Sequence, residues 1–404
     1  MQKFCMEIYD EYEDPAGCLQ MIQVAMKARS GSGELAAWGR TEQSDNPTLL
    51  TILGEILCCR HEFSLARECF RKALKAHPDF LPAEMKLMEV DFMLGDLAAG
   101  FSRMSFYLNA LTPHWFRQFR TLLPELREWQ GEIFSGKKLL VVAVGGFGDK
   151  ILFARFLHRI KARGGTVSLM VGKSLAGLLA TVSGVDEVLA DATFGEVKAR
   201  GFHYFLRLPE APAIFGISQR TVPQDGAYIT ADVELVRQWQ RRLPTAGLKV
   251  GLVWAGSGYG DVSDQRSIPL CQMMPLLALP GVQYISLQVG PAAREKDALS
   301  VKMLDAADSF NSFTDTAAVV SQLDLIISVD TAMVHLAGAL GRPVWALLPY
   351  LSSWQWPAKG EHSPWYPSAR LFRQSEQADW TTVVRALHHE LSLYSRGKYS
   401  IIKA

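Results

Sequence analysis

Two acidic residues stand where apolar runs break into turns, and each has chemistry open to it. In Asp324-Leu-Ile-Ile-Ser-Val-Asp330-Thr331-Ala332-Met333-Val334-His335-Leu-Ala-Gly338, a buried-strand pattern stops at Asp330-Thr331 and a helix of small residues follows. Either residue suits a helix N-cap. The unpaired N–H groups behind the cap, with the helix dipole, make a seat for a phosphate. The plainer role for Asp330 is the cap alone. His335 falls one turn after Thr331 and projects on a similar side, where it meets a ligand at that seat or packs as a hydrogen-bonded core residue. The second acid follows Lys138-Leu-Leu-Val-Val-Ala-Val144, where Gly145-Gly146-Phe147-Gly148-Asp149 leads into the helical pattern of Ile151, Leu152, Phe156, Leu157 and Ile160. The loop glycines Gly145, Gly146 and Gly148 permit a sharp turn and a close ligand approach. Asp149 either caps that helix or serves as a general base. The spacing matches neither GxGxxG nor a P-loop.

A third loop, Trp254-Ala-Gly256-Ser257-Gly-Tyr-Gly-Asp261, follows the apolar run Lys249–Trp254. Its amides and the Ser257 hydroxyl can approach a phosphate, and Arg266 can add a bidentate charge. Gln288 closes the run Val282–Gln288 and is a candidate reader of a nucleotide base or ribose. Asp186-Glu187 with Asp191 lacks the spacing of a metal-binding Asp-x-Asp triplet, and no Cys/His cluster has ligand spacing, so no metal site is expected. Trp354, Trp356, Trp365 and Tyr366 read mainly as packing, with a platform for a base or sugar as the sharper alternative.

The elements that must hold these loops alternate from residue 131 onward. Strands are predicted at Leu139–Val144, Thr166–Val171, Tyr204–Leu208, Lys249–Trp254, Val282–Gln288, Leu325–Val329 and Pro343–Leu348, with helical patterns between them. The series breaks near Pro244-Thr-Ala-Gly247. The expected class is α/β, with two Rossmann-like domains over 131–244 and 245–404, and a last helix near Thr381–Leu393 that crosses back to the first. Residues 1–130 read as helices. Within them, Asn46 to Pro78 fits a tetratricopeptide unit: Leu50, Leu53, Gly54 and Leu57 on one helix, Ala66, Phe70 and Ala73 on the next. The following unit is degenerate, with Met88 and Asp91 in place of small and aromatic residues. So short an array needs another surface to cover it: the α/β core, a second copy, or a protein partner.

With 404 residues, 49% hydrophobic and 21% charged, the chain should bury sizeable cores. A net charge of +1 gives no reason to expect nucleic acid or an anionic membrane as the main partner. The N-terminus lacks an apolar signal core, and no apolar run is long enough for a membrane span. Cys5, Cys18, Cys58, Cys59, Cys69 and Cys271 suit a reducing cytoplasm.

Taken together, Gly146-Phe147-Gly148-Asp149, Val250-Gly-Leu-Val-Trp254-Ala-Gly256-Ser257 with Arg266-Ser267, Ser286-Leu287-Gln288, Asp330-Thr331-Ala332-Met333-Val334-His335-Leu-Ala-Gly338, Gly341-Arg342-Pro343-Val344-Trp345 and Ser363-Pro364-Trp365-Tyr366-Pro367 with Leu371-Phe-Arg373-Gln374 resemble the bacterial glycosyltransferases of family 9, the heptosyltransferase type. The resemblance runs from about Asn46 to Trp380 and extends to a branch with a tetratricopeptide segment ahead of the transferase. It implies a GT-B fold and metal-independent, inverting sugar transfer without a cofactor. The donor would be a nucleotide-sugar, ADP-heptose by analogy, and the acceptor a glycan or protein. The resemblance gives Asp149 the base role. It puts the donor on Trp254, Gly256, Ser257, Arg266, Gln288, Asp330, Thr331, Ala332, Met333 and His335. The family's lysine on the Trp254 loop is missing, since none lies between Lys249 and Arg266. The alternatives are a decayed transferase acting as a scaffold, or a GT-B sugar-nucleotide epimerase.

Overall fold

The computed structural model describes residues 46–111, 113–224, 226–256, 265–299 and 302–395. The helices expected before residue 46, Cys5, Cys18 and the stretch Ser257–Asp264 lie outside the described residues. The chain forms two compact units. One holds the residues up to Arg117 together with Gly216–Thr221 and Ser353–Lys359; the other holds Gln118–Phe215, Val222–Ser352 and the residues from Gly360 on.

The first unit begins with helices α1 (Pro47–Cys59), α2 (Phe63–Ala76) and α3 (Leu81–Met93). Asn46 caps α1 by accepting from the N–H groups of Thr48 and Leu49 at 2.9 and 3.3 Å, and Pro47 follows at the first helical position. A Cβ on Gly54 would overlap the Phe70 ring, so the missing side chain is what lets α1 and α2 touch. Asp91 is fully buried on α3 and pairs with Arg103 at 3.2 Å and Arg67 at 3.6 Å. Burial raises its pKa, with Arg103 opposing the shift. Trp354, on the returning segment, packs against Phe92 and Phe101 at ring separations of 4.7 and 6.3 Å, so part of the apolar helical surface is covered from within the unit.

The second unit contains two all-parallel sheets. The first comprises β1 (Arg127–Glu128), β2 (Lys138–Val142), β3 (Thr166–Val171), β4 (Glu187–Ala190) and β5 (Tyr204–Arg207), in the order β1-β5-β2-β3-β4. Helix α4 (Phe147–Ala154) follows β2, and α5 (Lys173–Leu179) follows β3. The second sheet comprises β6 (Leu248–Val253), β7 (Val282–Ser286), β8 (Leu304–Asp305), β9 (Leu325–Val329), β10 (Val344–Leu348) and β11 (Ala369–Arg373), in the order β11-β10-β9-β6-β7-β8. Helix α6 (Phe313–Val320) precedes β9, and α7 (Ala332–Ala339) follows it. The last helix, α8 (Thr381–Ser395), packs against β11 and the short helix Met274–Leu277. Every residue of β9 and β10 is buried, as covering both faces of a parallel sheet requires. This is the expected α/β class: a GT-B arrangement of two Rossmann-like sheets, with helices ahead of them.

The strand orders fix where a ligand can bind. In the first sheet the chain runs outward from β2 to β4, then returns to the other side of β2 with β5. In the second it runs outward from β6 to β8, then returns beside β6 with β9. Crevices open at such reversals, beyond the carboxyl ends of the strands. The reversals lie at β2 and between β6 and β9, so the loops beginning at Gly145, Trp254 and Asp330 all stand at switch points.

Candidate functional site

At the first switch point Gly145 turns the chain with φ +94°, a conformation that favours glycine. Gly146 is the N-cap of α4, and its N–H donates to Asp149 Oδ2 at 3.0 Å. Asp149 thus reaches back over the first turn of its helix, half-buried, with its carboxylate at the carboxyl edge of the sheet. Gly148 has ordinary backbone angles and serves a different purpose. A Cβ there would stand 2.7 Å from His335 Cδ2 and 3.6 Å from Ala332 Cα, so the bare position lets α4 lie directly against α7. The start of the Asp149 helix and the start of the Thr331 helix are therefore in contact.

At the second switch point the cap is Thr331. Its Oγ1 accepts from the Met333 N–H at 3.3 Å and lies 3.1 Å from Ser328 Oγ. The Ala332 amide occupies the first helical position, where the helix supplies no acceptor. Asp330 is buried beside this turn. Its cationic neighbour is Arg373 at the end of β11, which donates to Ser352 Oγ at 2.6 Å. Burial lowers the Arg373 pKa and the Asp330 charge opposes that shift. Arg266 reaches the same place from the other loop, with Nη1 3.4 Å from the Asp330 carbonyl and Nη2 3.4 Å from where a Gly256 Cβ would stand. Gly256, Arg266, Asp330, Thr331, Ala332 and Met333 are thereby gathered at one edge of the second sheet. Ser257 lies outside the described residues.

Three of the predicted ligand-facing side chains are committed to the protein itself. The Gln288 amide oxygen accepts from the N–H groups of Trp254 and Ala255 at 2.9 and 2.8 Å, and its nitrogen donates to the carbonyls of Ala255 and Val289 at 3.1 and 2.8 Å. These four bonds use both acceptor positions and both donors of the side chain. In place of reading a base or ribose, Gln288 fixes the start of the Trp254 loop. The Trp254 side chain is fully buried, the residue's backbone N–H is held by Gln288, and its carbonyl accepts from the Ile268 N–H at 2.8 Å. His335 is 3% exposed, and its Nδ1 lies 3.1 Å from the Tyr366 hydroxyl. Burial pushes its pKa down to about 3, and the nearby Arg155 charge acts in the same direction, so the imidazole is neutral at pH 7.

The aromatic tract follows the packing reading. Trp356, Trp365 and Tyr366 are buried, and a Cβ on Gly338 would overlap the Tyr366 ring. The acidic stretch at Asp186 is structural: Asp186 pairs with Lys161 at 2.6 Å and Glu187 with Arg200 at 3.2 Å along the edge strand β4. Among the described residues no group of three or more His, Cys, Asp or Glu side chains is placed to hold a metal ion, and no helix is long and apolar enough to cross a membrane.

Arg155, Tyr228 and Lys150 escaped the sequence reading. Lys150 is half-buried next to Asp149, 5.7 Å from the Phe147 ring centre, and burial lowers its pKa against the pull of Asp149 and Asp191. Its place directly after Asp149 was a signal available in the sequence. Arg155 gave none, because its partners Pro223, Tyr228 and Trp365 are distant along the chain.

Fold and site define an α/β protein with two parallel sheets, in which a carboxylate-bearing loop of one sheet meets the Thr331-capped helix start of the other. Residues 311–386 match the model of glycosyltransferase family 9 (heptosyltransferase), a segment that includes β9, Asp330-Thr331, α7 and Tyr366. Among curated proteins the chain is similar to Protein FlbA of Caulobacter vibrioides, with 27% identity over 388 residues, covering 82% of this chain and 65% of that protein; the chain thus spans about two thirds of its relative's length. Among solved structures it is similar to a glycosyl transferase family 9 protein of Veillonella parvula, with a TM-score of 0.47 and 13% identity over 61% of this chain and 88% of the other. It is also similar to the ADP-heptose lps heptosyltransferase II of E. coli, with a TM-score of 0.43 and 13% identity over 63% and 99%.

Proposed function

We propose that this chain is a glycosyltransferase that moves a sugar, a heptose by family analogy, from a nucleoside-diphosphate donor to a hydroxyl of a glycan or protein, with inversion and without a metal ion. The observation that carries the reading is the contact between Gly148 and Ala332, which brings the Asp149 loop against the Thr331 turn. An inverting transfer needs those two parts next to one another. A base must take the proton from the attacking hydroxyl, and fixed dipoles or charge must stabilise the departing diphosphate.

Asp149 is the proposed base. Its Oδ2 accepts from the Gly146 N–H, which holds the carboxylate at the carboxyl end of β2, where an acceptor hydroxyl would approach. The amides at the start of α7, the Thr331 hydroxyl and the exposed Arg266 are the proposed diphosphate seat. Arg266 stands in for the lysine that the family carries on this loop. Asp330, held by the charge of Arg373, is the proposed contact to the donor sugar. Neutral His335 supports the seat from behind. The helices ahead of the sheets are read as a tetratricopeptide-like module serving an acceptor protein, a second copy or the core.

The test is calorimetric titration of the whole chain with ADP, UDP and GDP, followed by an assay for nucleoside-diphosphate release from the matching sugar donor. Selective binding of one nucleotide, with release that depends on Asp149, supports the transferase. Binding of none of the three points to a scaffold that has lost its donor site.

A further inference from the structure

We infer that Arg155 is a positioning residue: it clasps helices α4 and α7 at their carboxyl ends and thereby sets the spacing between Asp149 and the Thr331 turn at their amino ends. The inference rests on the transferase reading for its catalytic consequence, but not for its geometry.

Arg155 caps the carboxyl end of α4 and is 4% exposed. Its guanidinium bonds to three separate parts of the chain. Nε donates to the Leu152 carbonyl in its own helix at 3.0 Å. Nη1 donates to the carbonyls of Trp365 at 2.8 Å and Pro223 at 3.1 Å, and Nη2 reaches the Tyr228 hydroxyl at 3.4 Å. The ring centres of Tyr366, Tyr228 and Trp365 lie 4.7, 5.0 and 5.5 Å from its central carbon. No carboxylate pairs with it among the described residues. A buried cation without a counter-ion is expensive, and a hydrophobic side chain would fill the space at lower cost. What the guanidinium adds is direction, in a planar fork that pins three carbonyls and faces three rings.

The clasp reaches both helices. Tyr228 donates from its hydroxyl to the Ile151 carbonyl on α4 at 3.0 Å and from its backbone N–H to the Ala339 carbonyl on α7 at 3.0 Å. The Tyr366 hydroxyl lies 3.3 Å from that of Tyr228 and 3.1 Å from His335 Nδ1. Between the helices Gly148 leaves no cushioning side chain, so α4 lies directly on α7, and Gly338 lets α7 lie against the Tyr366 ring of the clasp. Each helix spans eight residues, roughly 12 Å, so a shift at the clasped end is carried to the Asp149 end.

The test uses the whole chain with Arg155→Met, Arg155→Lys and Tyr366→Phe. Arg155→Met is expected to lower the turnover of ADP release from ADP-heptose by about 10- to 100-fold, since displacement of a reacting group by about 1 Å costs that much. The Kd for ADP should change less than the turnover, because the start of α7 that carries the proposed diphosphate contacts keeps its own Thr331 cap. Arg155→Lys, which keeps the charge and part of the reach, should recover part of the turnover. A purely structural role would lower the melting temperature and leave the turnover of the folded protein unchanged, and that result overturns the inference. If Arg155→Met does not fold, Tyr366→Phe carries the same test through the loss of one hydroxyl.

Hydrogen exchange supplies an arm independent of activity. The amides of α4 and α7 should lose protection together in Arg155→Met. Loss confined to the Pro223 region overturns the clasp. A wild-type chain that neither binds ADP nor releases it would remove the transferase reading, and the exchange result alone would then decide the clasp.

Discussion

Replacing Gly148 by alanine places a methyl group 2.7 Å from His335 Cδ2, about 0.7 Å inside the 3.4 Å at which ordinary carbon contacts begin. Two effects compete. Alanine is the better helix former, by up to about 1 kcal/mol. Overpacking a fixed interface costs about 1–3 kcal/mol. The clash should win, because His335 cannot swing aside: it is 3% exposed, and its Nδ1 is tied to Tyr366. A net loss of about 1–2 kcal/mol is expected, or a fall of several degrees in melting temperature for a unit of this size. If α4 yields by half an ångström or so, Asp149 moves with it and transfer should slow by roughly tenfold. The matched control is Gly195→Ala, at the second position of the helix Phe194–Ala199, where the nearest atom to a new Cβ is Thr193 Oγ1 at 3.9 Å. That variant should be neutral or slightly more stable. Urea unfolding of both variants, with ADP titration and donor turnover in parallel, measures each quantity. Equal stability and turnover in the two variants would refute the claim that α4 and α7 are in contact through Gly148.

Asp149→Asn should cut transfer by about 10²–10⁴ while ADP binding survives, because the amide keeps the shape but cannot take the proton; turnover near wild type would leave Asp149 as a helix cap. Arg266→Ala should weaken ADP binding by about one to two decades, the worth of a charge-assisted hydrogen bond, and Thr331→Ala by less, since the backbone amides remain; calorimetry showing the reverse order would move the diphosphate off Arg266. Gln288→Ala should destabilise the chain by about 1–3 kcal/mol by stranding the buried N–H groups of Trp254 and Ala255, and a change in nucleotide selectivity without loss of stability would restore the base-reading role. His335 makes folding acid-sensitive. Its folded pKa near 3 lies below the ordinary value near 6.5, so the unfolded chain takes up a proton that the folded one refuses. Stability from this group is intact above about pH 6.5 and falls by up to about 1.4 kcal/mol per pH unit on the way down to about 3. Urea titrations at pH 7.5 and 5.5 should show a shallower loss in His335→Gln than in wild type, and equal slopes would contradict the assignment.

Strands β2, β3, β5, β6, β7, β9 and β10 were legible because their signal is local, whereas β1, β4, β8 and β11 were not. Leu139–Val142 and Val344–Leu348 are continuous apolar runs, the pattern of a strand buried on both faces of a parallel sheet. The same holds for Thr331, whose capping partner Met333 lies two residues away. The order of the two series, and the glycine-bearing loops at their carboxyl ends, followed from the spacing of those runs. The pairing order that turned the loops at Gly145, Trp254 and Asp330 into switch points is a property of the folded sheets. Tertiary structure also decided which polar side chains are spent inside the protein. Gln288 faces Trp254 from 34 residues away, and Arg155 meets Trp365 across 210. Nothing in the neighbouring sequence distinguishes such a residue from one that waits for a ligand. Gly148 shows the division within a single position. Its place in a glycine-rich turn suggested backbone freedom, but its angles are ordinary, and what required glycine was the ring of a histidine on the other sheet's helix. A hydrogen bond or a steric contact is fixed by proximity in space, and chain connectivity constrains proximity only over a few residues.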